Sequence, residues 1–456
     1  MAGNTERAHA ERPWCLVVAG SGLTTPMPPG RATMRFREGS QELLGLPWER
    51  PLAEWDADEF EFVDLPIGAS RHTVRFVVTE GGIVALKELQ LEPARREYEV
   101  MRELEARGAP AVRAVGLVER VDDEDAIIAT RYLARSFQFR RLFMRLPEGE
   151  PWHRDRLLEA MTNLLVELHR LGLFWGDCSL ANTLLVRDGH TLQAFLVDAE
   201  TSEIHERISD GQRAADIDIA VENVVGDLAD LAAMGGRGIH EIEADFEAAL
   251  SVRTRYEWLW SALHEDVVVA AERRFRVDAR VRALNDMGYV VDEVILERGA
   301  GDSDSLRLRV SVAGREYHSR RLRQLTGIEA GEGQASILLT DMTTWAGLAR
   351  WDGTLGSGEM GSRALSRADA ARWMVEIYEP AVEELRRVLG PDMDPVQAYC
   401  DLLEVRWLLS EQAGHDIGNE ATLASMAANR LPAGSVAMMA VAEEPTSQRR
   451  LGWHRP

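Results

Sequence analysis

The spacing of apolar and polar positions changes character several times along the chain, and each change predicts an element. Short runs rich in β-branched and aromatic residues predict strands at 59–65, 73–79 and 83–89, the last two joined by Glu80-Gly81-Gly82, a hairpin signal. Helical spacing takes over at 95–107, where Tyr98, Met101 and Leu104 share a face, with Pro93 suited to a first turn and Gly108 at the end. A further strand is expected at 126–132. The longest amphipathic run, 154–171, puts Leu157, Leu158, Met161, Leu164, Leu165 and Leu168 on one face and stops at Gly172. Two strands, 183–186 and 192–197, then flank an Arg187-Asp188-Gly189-His190 turn. Helical spacing resumes near Ile217, where Asp216 and Asp218 are candidate caps or, alternatively, anchors for the loop around 177–182.

Residues 266–345 read as a separate α+β unit, with a helix through Leu284 and strands at 289–297 and 306–312 around an Asp/Gly/Ser loop. A Gly-rich linker at 353–361 leads to a helical tail, for which Ser366 and Asp394-Pro395 are good starts. Residues 1–33, rich in Gly, Pro, Thr and Ala without a period, read as a flexible extension. The domain plan is therefore 1–33 extension, 34–258 main domain, 259–350 small α+β unit and 351–456 helical domain, with an α+β fold class overall. No internal repeat is visible.

Composition narrows the function classes. A hydrophobic share of 45% supports real cores, and a formal charge of -23 argues against nucleic-acid binding, since two polyanions gain nothing from counterion release. Cys15, Cys178 and Cys400 have no metal-ligand spacing, so neither a disulfide framework nor a structural zinc is expected. No apolar run approaches the roughly 18 residues of a membrane span, nor is there a signal peptide, so a soluble cytoplasmic protein is expected. One feature is unusual. Among 52 basic side chains, Lys87 is the single lysine. Coding bias explains the arginines but not the survivor; a compact ammonium is kept where a planar guanidinium fits badly, as between phosphates and a carboxylate.

The surroundings of Lys87 support that reading. It ends Val84-Ala85-Leu86-Lys87 on a strand after a hairpin, and Glu97 follows ten residues later, early in a helix, with Glu99 as its rival. Further on, Leu168-His169-Arg170-Leu171-Gly172-Leu173-Phe174-Trp175-Gly176-Asp177 leads to Asn182 and the strand Thr183-Leu184-Leu185. Asp198, within Phe195-Leu196-Val197-Asp198-Ala199-Glu200, comes sixteen residues after Asn182. A carboxylate to orient a hydroxyl, an amide oxygen on the same loop and a second carboxylate at a strand end make a set of hard oxygen ligands around a transferring group.

In this order and on these elements, the residues resemble the protein-kinase superfamily over roughly 40–255. The resemblance implies ATP and Mg2+ as cofactors, with Lys87, Glu97 and Gly68 on the nucleotide, Asn182 and Asp198 on the metal, and Asp177 as the catalytic base or orienter. The phosphate-covering loop is reduced to Ile67-Gly68-Ala69-Ser70, Trp175-Gly176 stands where His-Arg is usual, Ala199-Glu200 replaces Phe-Gly, and no Ala-Pro-Glu follows. Without the arginine, switching by a phosphorylated activation loop is not expected. Gly-Asp in the catalytic loop is similar to the lipopolysaccharide core sugar kinases and small-molecule phosphotransferases, and the region after 350 resembles an uncharacterised bacterial helical domain. The expected activity is transfer of the ATP γ-phosphoryl to an unknown hydroxyl acceptor on a sugar, a small metabolite or a protein. A weakly catalytic pseudokinase that binds ATP as a regulatory or scaffold module is the other class. The C-terminal domain is a candidate surface for a protein partner. His169 and Cys178 read as structural, and Trp258, Trp260, Trp345 and Trp351 as core or interface residues.

Overall fold

The computed structural model describes residues 17–19, 22–26, 32–56, 58–65, 71–120, 124–139, 142–143, 151–235, 239–264, 267–270, 275–298, 305–351, 365–432 and 435–438. The chain forms two compact units, one from residues 1–134, 171–176 and 196–207, the other from 135–170, 177–195 and 208–456.

The first unit is built on an antiparallel sheet of β1 (Val17–Ala19), β2 (Gly22–Pro26), β3 (Ala32–Phe36), β4 (Phe62–Val63), β5 (Thr73–Thr79), β6 (Gly82–Gln90), β7 (Ala114–Arg120) and β8 (Asp125–Arg131). Their order across the sheet is β1-β2-β3-β7-β8-β6-β5-β4. The β5–β6 hairpin closes at Thr79 opposite Gly82, whose φ of +111° favours glycine. Strand alternation buries Val84 and Leu86 of β6 on one face and places Lys87 on the other, between the buried Leu86 and Leu89 in sequence. The buried face packs on Phe36, Leu43, Trp48, Leu52 and Trp55, and the Trp48 and Trp55 rings meet edge to face at 5.4 Å. Strand β7 has no alternation to announce it, because its first five residues are all buried. Strands β1 and β2 lie inside the stretch read as an extension and pair onward to β3.

Helix α1 (Leu91–Ala106) lies against β6, β7 and β8 and buries Ala94, Tyr98, Val100, Met101 and Leu104 on one side. Glu97 shares that buried side. The helix ends before Gly108, at φ +72°.

In the second unit, α2 (Pro151–Arg170) and α3 (Asp210–Gly235) pack on α4 (Ile239–His264). A short sheet joins β9 (Phe137–Gln138), β11 (Thr183–Asp188) and β12 (Thr191–Leu196), whose last residue belongs to the first unit, as does the pair β10 (Leu173–Phe174) and β13 (Glu203–Ile204). Helix α3 starts seven residues earlier than its apolar spacing suggests. Ser209 and Gln212 form the cap, the Gln212 side chain accepting the Ser209 N–H at 3.0 Å and Ser209 Oγ accepting the Gln212 N–H at 3.2 Å. Asp216 and Asp218, the candidate caps, are interior to the helix.

The C-terminal part opens with a sheet of β14 (Val267–Ala270), β15 (Tyr289–Arg298) and β16 (Ser305–Arg315), β16 in the centre, with α5 (Phe275–Asp286) against β15. It continues as α6 (Tyr317–Thr326), α7 (Glu332–Trp351), α8 (Arg367–Trp373), a π turn at Met374–Tyr378, α9 (Glu379–Leu389), α10 (Pro395–Ala413) and α11 (Gly418–Ala427). Ser366 and Asp394 cap α8 and α10. Trp373 and Tyr378 stack at the centre with Tyr399 edge-on to both, and Asp341 accepts hydrogen bonds from Trp373 Nε1 and Tyr399 Oη, both at 2.8 Å. Trp258, by contrast, is 65% exposed and is not a core residue. No helix among the described residues is long and apolar enough to cross a membrane.

Candidate active site

Strand β6 carries Lys87 out of the hydrophobic face, and α1 brings Glu97 to it. Lys87 Nζ donates to Glu97 Oε2 at 3.0 Å and to Asp198 Oδ2 at 2.6 Å, with Glu200 Oε2 at 3.5 Å. Glu99, one residue off the inward face, takes no part. The sole ammonium is thus shared by three carboxylates, of which Glu97 is the most deeply buried. Burial works against the Lys87 charge, but Glu97 and Asp198 outweigh it and hold the lysine pKa above its usual value. Burial and then the Asp198 carboxylate push Glu97 up to about 8, against the pull of Lys87.

Glu200, where a glycine is usual, was not singled out from the sequence. It accepts from Arg71 and lies 2.9 Å from His72 Nε2, tying the start of β5 to the segment after β12. Lys87, Arg71 and His72 hold its carboxyl below the usual range although burial opposes them. One oxygen each from Glu97, Asp198 and Glu200 lies within 4.8 Å of the others, a spacing that serves a divalent cation as well as an ammonium. Gly68 lies outside the described residues.

The approach to the catalytic loop explains the absent His-Arg. Trp175 is fully buried, its Nε1 donating to the Asp198 carbonyl at 3.2 Å, while Thr201 and Ser202 hydroxyls donate to the Trp175 carbonyl. Gly176 has φ +77°, and a Cβ there would lie 3.1 Å from the Thr201 carbonyl, so arginine would be strained and crowded.

In the second unit, Asp177 is fixed by two carboxamides. Asn182 Nδ2 donates to Asp177 Oδ2 at 2.9 Å and Asn223 Nδ2 donates to Asp177 Oδ1 at 3.0 Å. With its nitrogen committed to Asp177, the Asn182 amide turns its oxygen away from that carboxylate, as a metal ligand must. Asn223 was missed by sequence reasoning, although a signal exists. Asp216, Asn223 and Asp227 are spaced seven and four residues apart on α3, which places them on one helix face. All three hold the segment 169–180. Asp227 accepts the Leu180 N–H at 2.9 Å, and Asp216 lies 3.0 Å from His169 Nε2. Tyr256 Oη is 2.6 Å from His169 Nδ1. Burial pushes the His169 pKa down, so the neutral ring donates from Nε2 to Asp216 and accepts at Nδ1 from Tyr256. Cys178 is buried, and burial pushes its thiol well up, which leaves it inert as a nucleophile.

A strand lysine paired to a helix glutamate, an aspartate after a β-hairpin, and an Asp-x4-Asn loop anchored on a helix define a protein-kinase-like module of the expected α+β class. Residues 84–220 match the model of the Lipopolysaccharide kinase (Kdo/WaaP) family, and residues 258–431 match a Domain of unknown function (DUF4032). The match places the module among the kinases, enzymes that transfer a phosphoryl group. A solved structure titled "WaaP in complex with acyl carrier protein" is similar at 21% identity, covering 50% of this chain and 99% of its own, with a TM-score of 0.31. No curated protein matches the chain.

Proposed function

We propose that the chain moves the γ-phosphoryl of ATP to a sugar hydroxyl, the acceptor class that the lipopolysaccharide-kinase match favours over a small non-sugar metabolite or a protein. The observation that carries the reading is the ion-pair cluster of Lys87, 3.0 Å from Glu97 and 2.6 Å from Asp198, which gives the only lysine of the chain to two carboxylates in the order the chemistry needs. Lys87 holds nucleotide phosphate and Glu97 braces it. Asp198 and the Asn182 oxygen hold Mg2+, which supplies charge neutralisation at the phosphates when bound. The donors fit such an ion, being hard oxygens. Asp177 orients the acceptor hydroxyl and takes its proton, and the amides of Asn182 and Asn223 keep its carboxylate from rotating. Work in the cytoplasm, where ATP is plentiful, belongs to the same reading, and the exposed Trp407 keeps a protein partner for the C-terminal domain within it.

One observation favours the second reading, a pseudokinase acting as an ATP-binding regulatory or scaffold module. Glu200 brings a further negative charge to 3.5 Å from Lys87, where phosphates would otherwise have the ammonium to themselves. ATP hydrolysis separates the two. Lys87→Arg widens the cation and should lower hydrolysis by about two orders of magnitude. Asp177→Asn should abolish it while nucleotide affinity, read by Mg-ATP thermal shift, stays within about twofold. Nucleotide binding with wild-type hydrolysis no higher than that of Asp177→Asn would select the pseudokinase.

A further inference from the structure

The β11–β12 hairpin starts one residue after Asn182 and ends two residues before Asp198. Hairpin tips usually face solvent. Here each residue of the turn is engaged by the C-terminal helices or α2, all within the second unit. Asp188, 3% exposed, accepts the Gly333 N–H at 2.8 Å and the Gln334 N–H at 2.9 Å, so it caps α7 from outside that helix. Gln397 of α10 meets the Gly189 backbone as a strand would, accepting its N–H at 3.0 Å and donating to its carbonyl at 3.0 Å. Arg187 donates to both oxygens of Asp401, at 2.9 and 2.8 Å, and His190 lies 3.3 Å from the Cys400 carbonyl. The fit leaves no slack. A Cβ at Gly331 would lie 2.2 Å from Asp188 Oδ1, and one at Gly333 would lie 2.3 Å from the Asp188 carbonyl.

We propose that the C-terminal helical domain, whose family has no assigned role, is a clamp acting in cis on the catalytic hairpin, with Asp188 and Gln397 as positioning residues for phosphoryl transfer. The inference rests on the phosphotransferase reading for its catalytic consequence. A merely cohesive interface would not need a buried carboxylate and a buried amide at the tip, because apolar packing there would stabilise at least as well without the desolvation cost. What directional bonds add is a fixed register, and a shift of about 1 Å in a catalytic group costs about a hundredfold in rate. Lys87 and Glu97 lie on other strands and helices, so nucleotide affinity is not what the clamp sets.

The test uses the full chain with Gly331→Ala, which wedges Asp188 from α7, and Gln397→Ala, which removes the Gly189 bonds without a clash. Either should lower kcat for ATP hydrolysis about tenfold and raise the Mg2+ needed for half-maximal rate, with the KM for Mg-ATP at saturating metal within about twofold. Asp188→Asn, which keeps one acceptor oxygen, should recover part of what Asp188→Ala loses. Hydrogen exchange should quicken over 177–183 as well as 187–190, while α10 stays protected. An unchanged kcat, or faster exchange confined to 187–190, would overturn the clamp and leave the phosphotransferase reading intact. If the wild type proves inactive, that reading fails by itself, and exchange over 177–183 still decides whether the clamp exists. Should Gly331→Ala not fold, Gln397→Ala carries the test.

Discussion

Asp198 lies 2.6 Å from an ammonium, whereas Asp177 is held by two neutral amides, at 2.9 and 3.0 Å. The two units thus solve the same problem, how to keep a carboxylate in place, with different means. In the first, one ammonium balances Glu97 and Asp198 and shares Glu200 with Arg71, so its loss exposes mutual repulsion in a largely buried cluster. In the second, each amide supplies direction without altering the charge, and losing one forfeits one of the two bonds to that carboxylate. Sensitivity to mutation should therefore differ sharply between them.

The comparison breaks most visibly at Lys87→Met, which keeps the length and apolar stem but leaves Glu97 and Asp198 without their cation, while Glu200 keeps Arg71. Removal of one partner from a buried ion pair costs about 3–5 kcal/mol, and denaturant unfolding should show a loss in that range for the first unit. A second substitution, Glu200→Gln, should restore part of it by removing one repelling charge. Measured at pH 9, above the Glu97 value of about 8, no loss in the single variant would mean that the charged picture of this unit has to go.

Asn223→Ala probes the amide side and should be milder. A hydrogen bond to a charged group is worth about 1.5–3 kcal/mol, so kcat should fall about tenfold or somewhat more with the KM for ATP unchanged. Asn223→Asp should do worse than Ala, since it sets a second carboxylate against Asp177. Equal effects of the two would show that Asn223 fills space and does not orient Asp177.

The chemistry-bearing residues were legible because they sit on elements with strong periodicity. The β5–β6 hairpin and α1 announce themselves, and with them the position of Lys87 opposite a helix glutamate. What stayed hidden has physical causes. Strand β7 is buried on both faces and so lacks alternation. The start of α3 is set by the Ser209–Gln212 cap, while the first buried apolar residue comes only at Ile217. Asn223 is an uncharged residue inside a helix, and its role appears only when the Asp216, Asn223 and Asp227 spacing is set beside the catalytic loop. The docking of the hairpin turn on α7 and α10 joins residues more than 140 positions apart, which no local pattern encodes.

The finest difference between the units lies in how acid acts on each. Glu97 is pushed up to about 8, first by burial and then by Asp198, from 4.5 in an unfolded chain. The folded first unit therefore binds this proton more tightly than the unfolded one, so the stability it contributes is full below about pH 4.5 and is lost as pH rises through about 8. Lys87, raised from 10.5, changes nothing in that window, since its contribution is lost only at higher pH. His169 in the second unit has the opposite sign. Burial lowers it from 6.5, the unfolded ring takes up the proton first, and the stability it contributes is present above pH 6.5 and lost as pH falls below. Between pH 5 and 8 the protection of β6 amides, corrected for intrinsic exchange, should decline while that of α2 amides near His169 rises. Glu97→Gln should flatten the first trend alone and His169→Gln the second alone. Parallel trends in both units, or a slope in β6 that survives Glu97→Gln, would place the titrating group elsewhere.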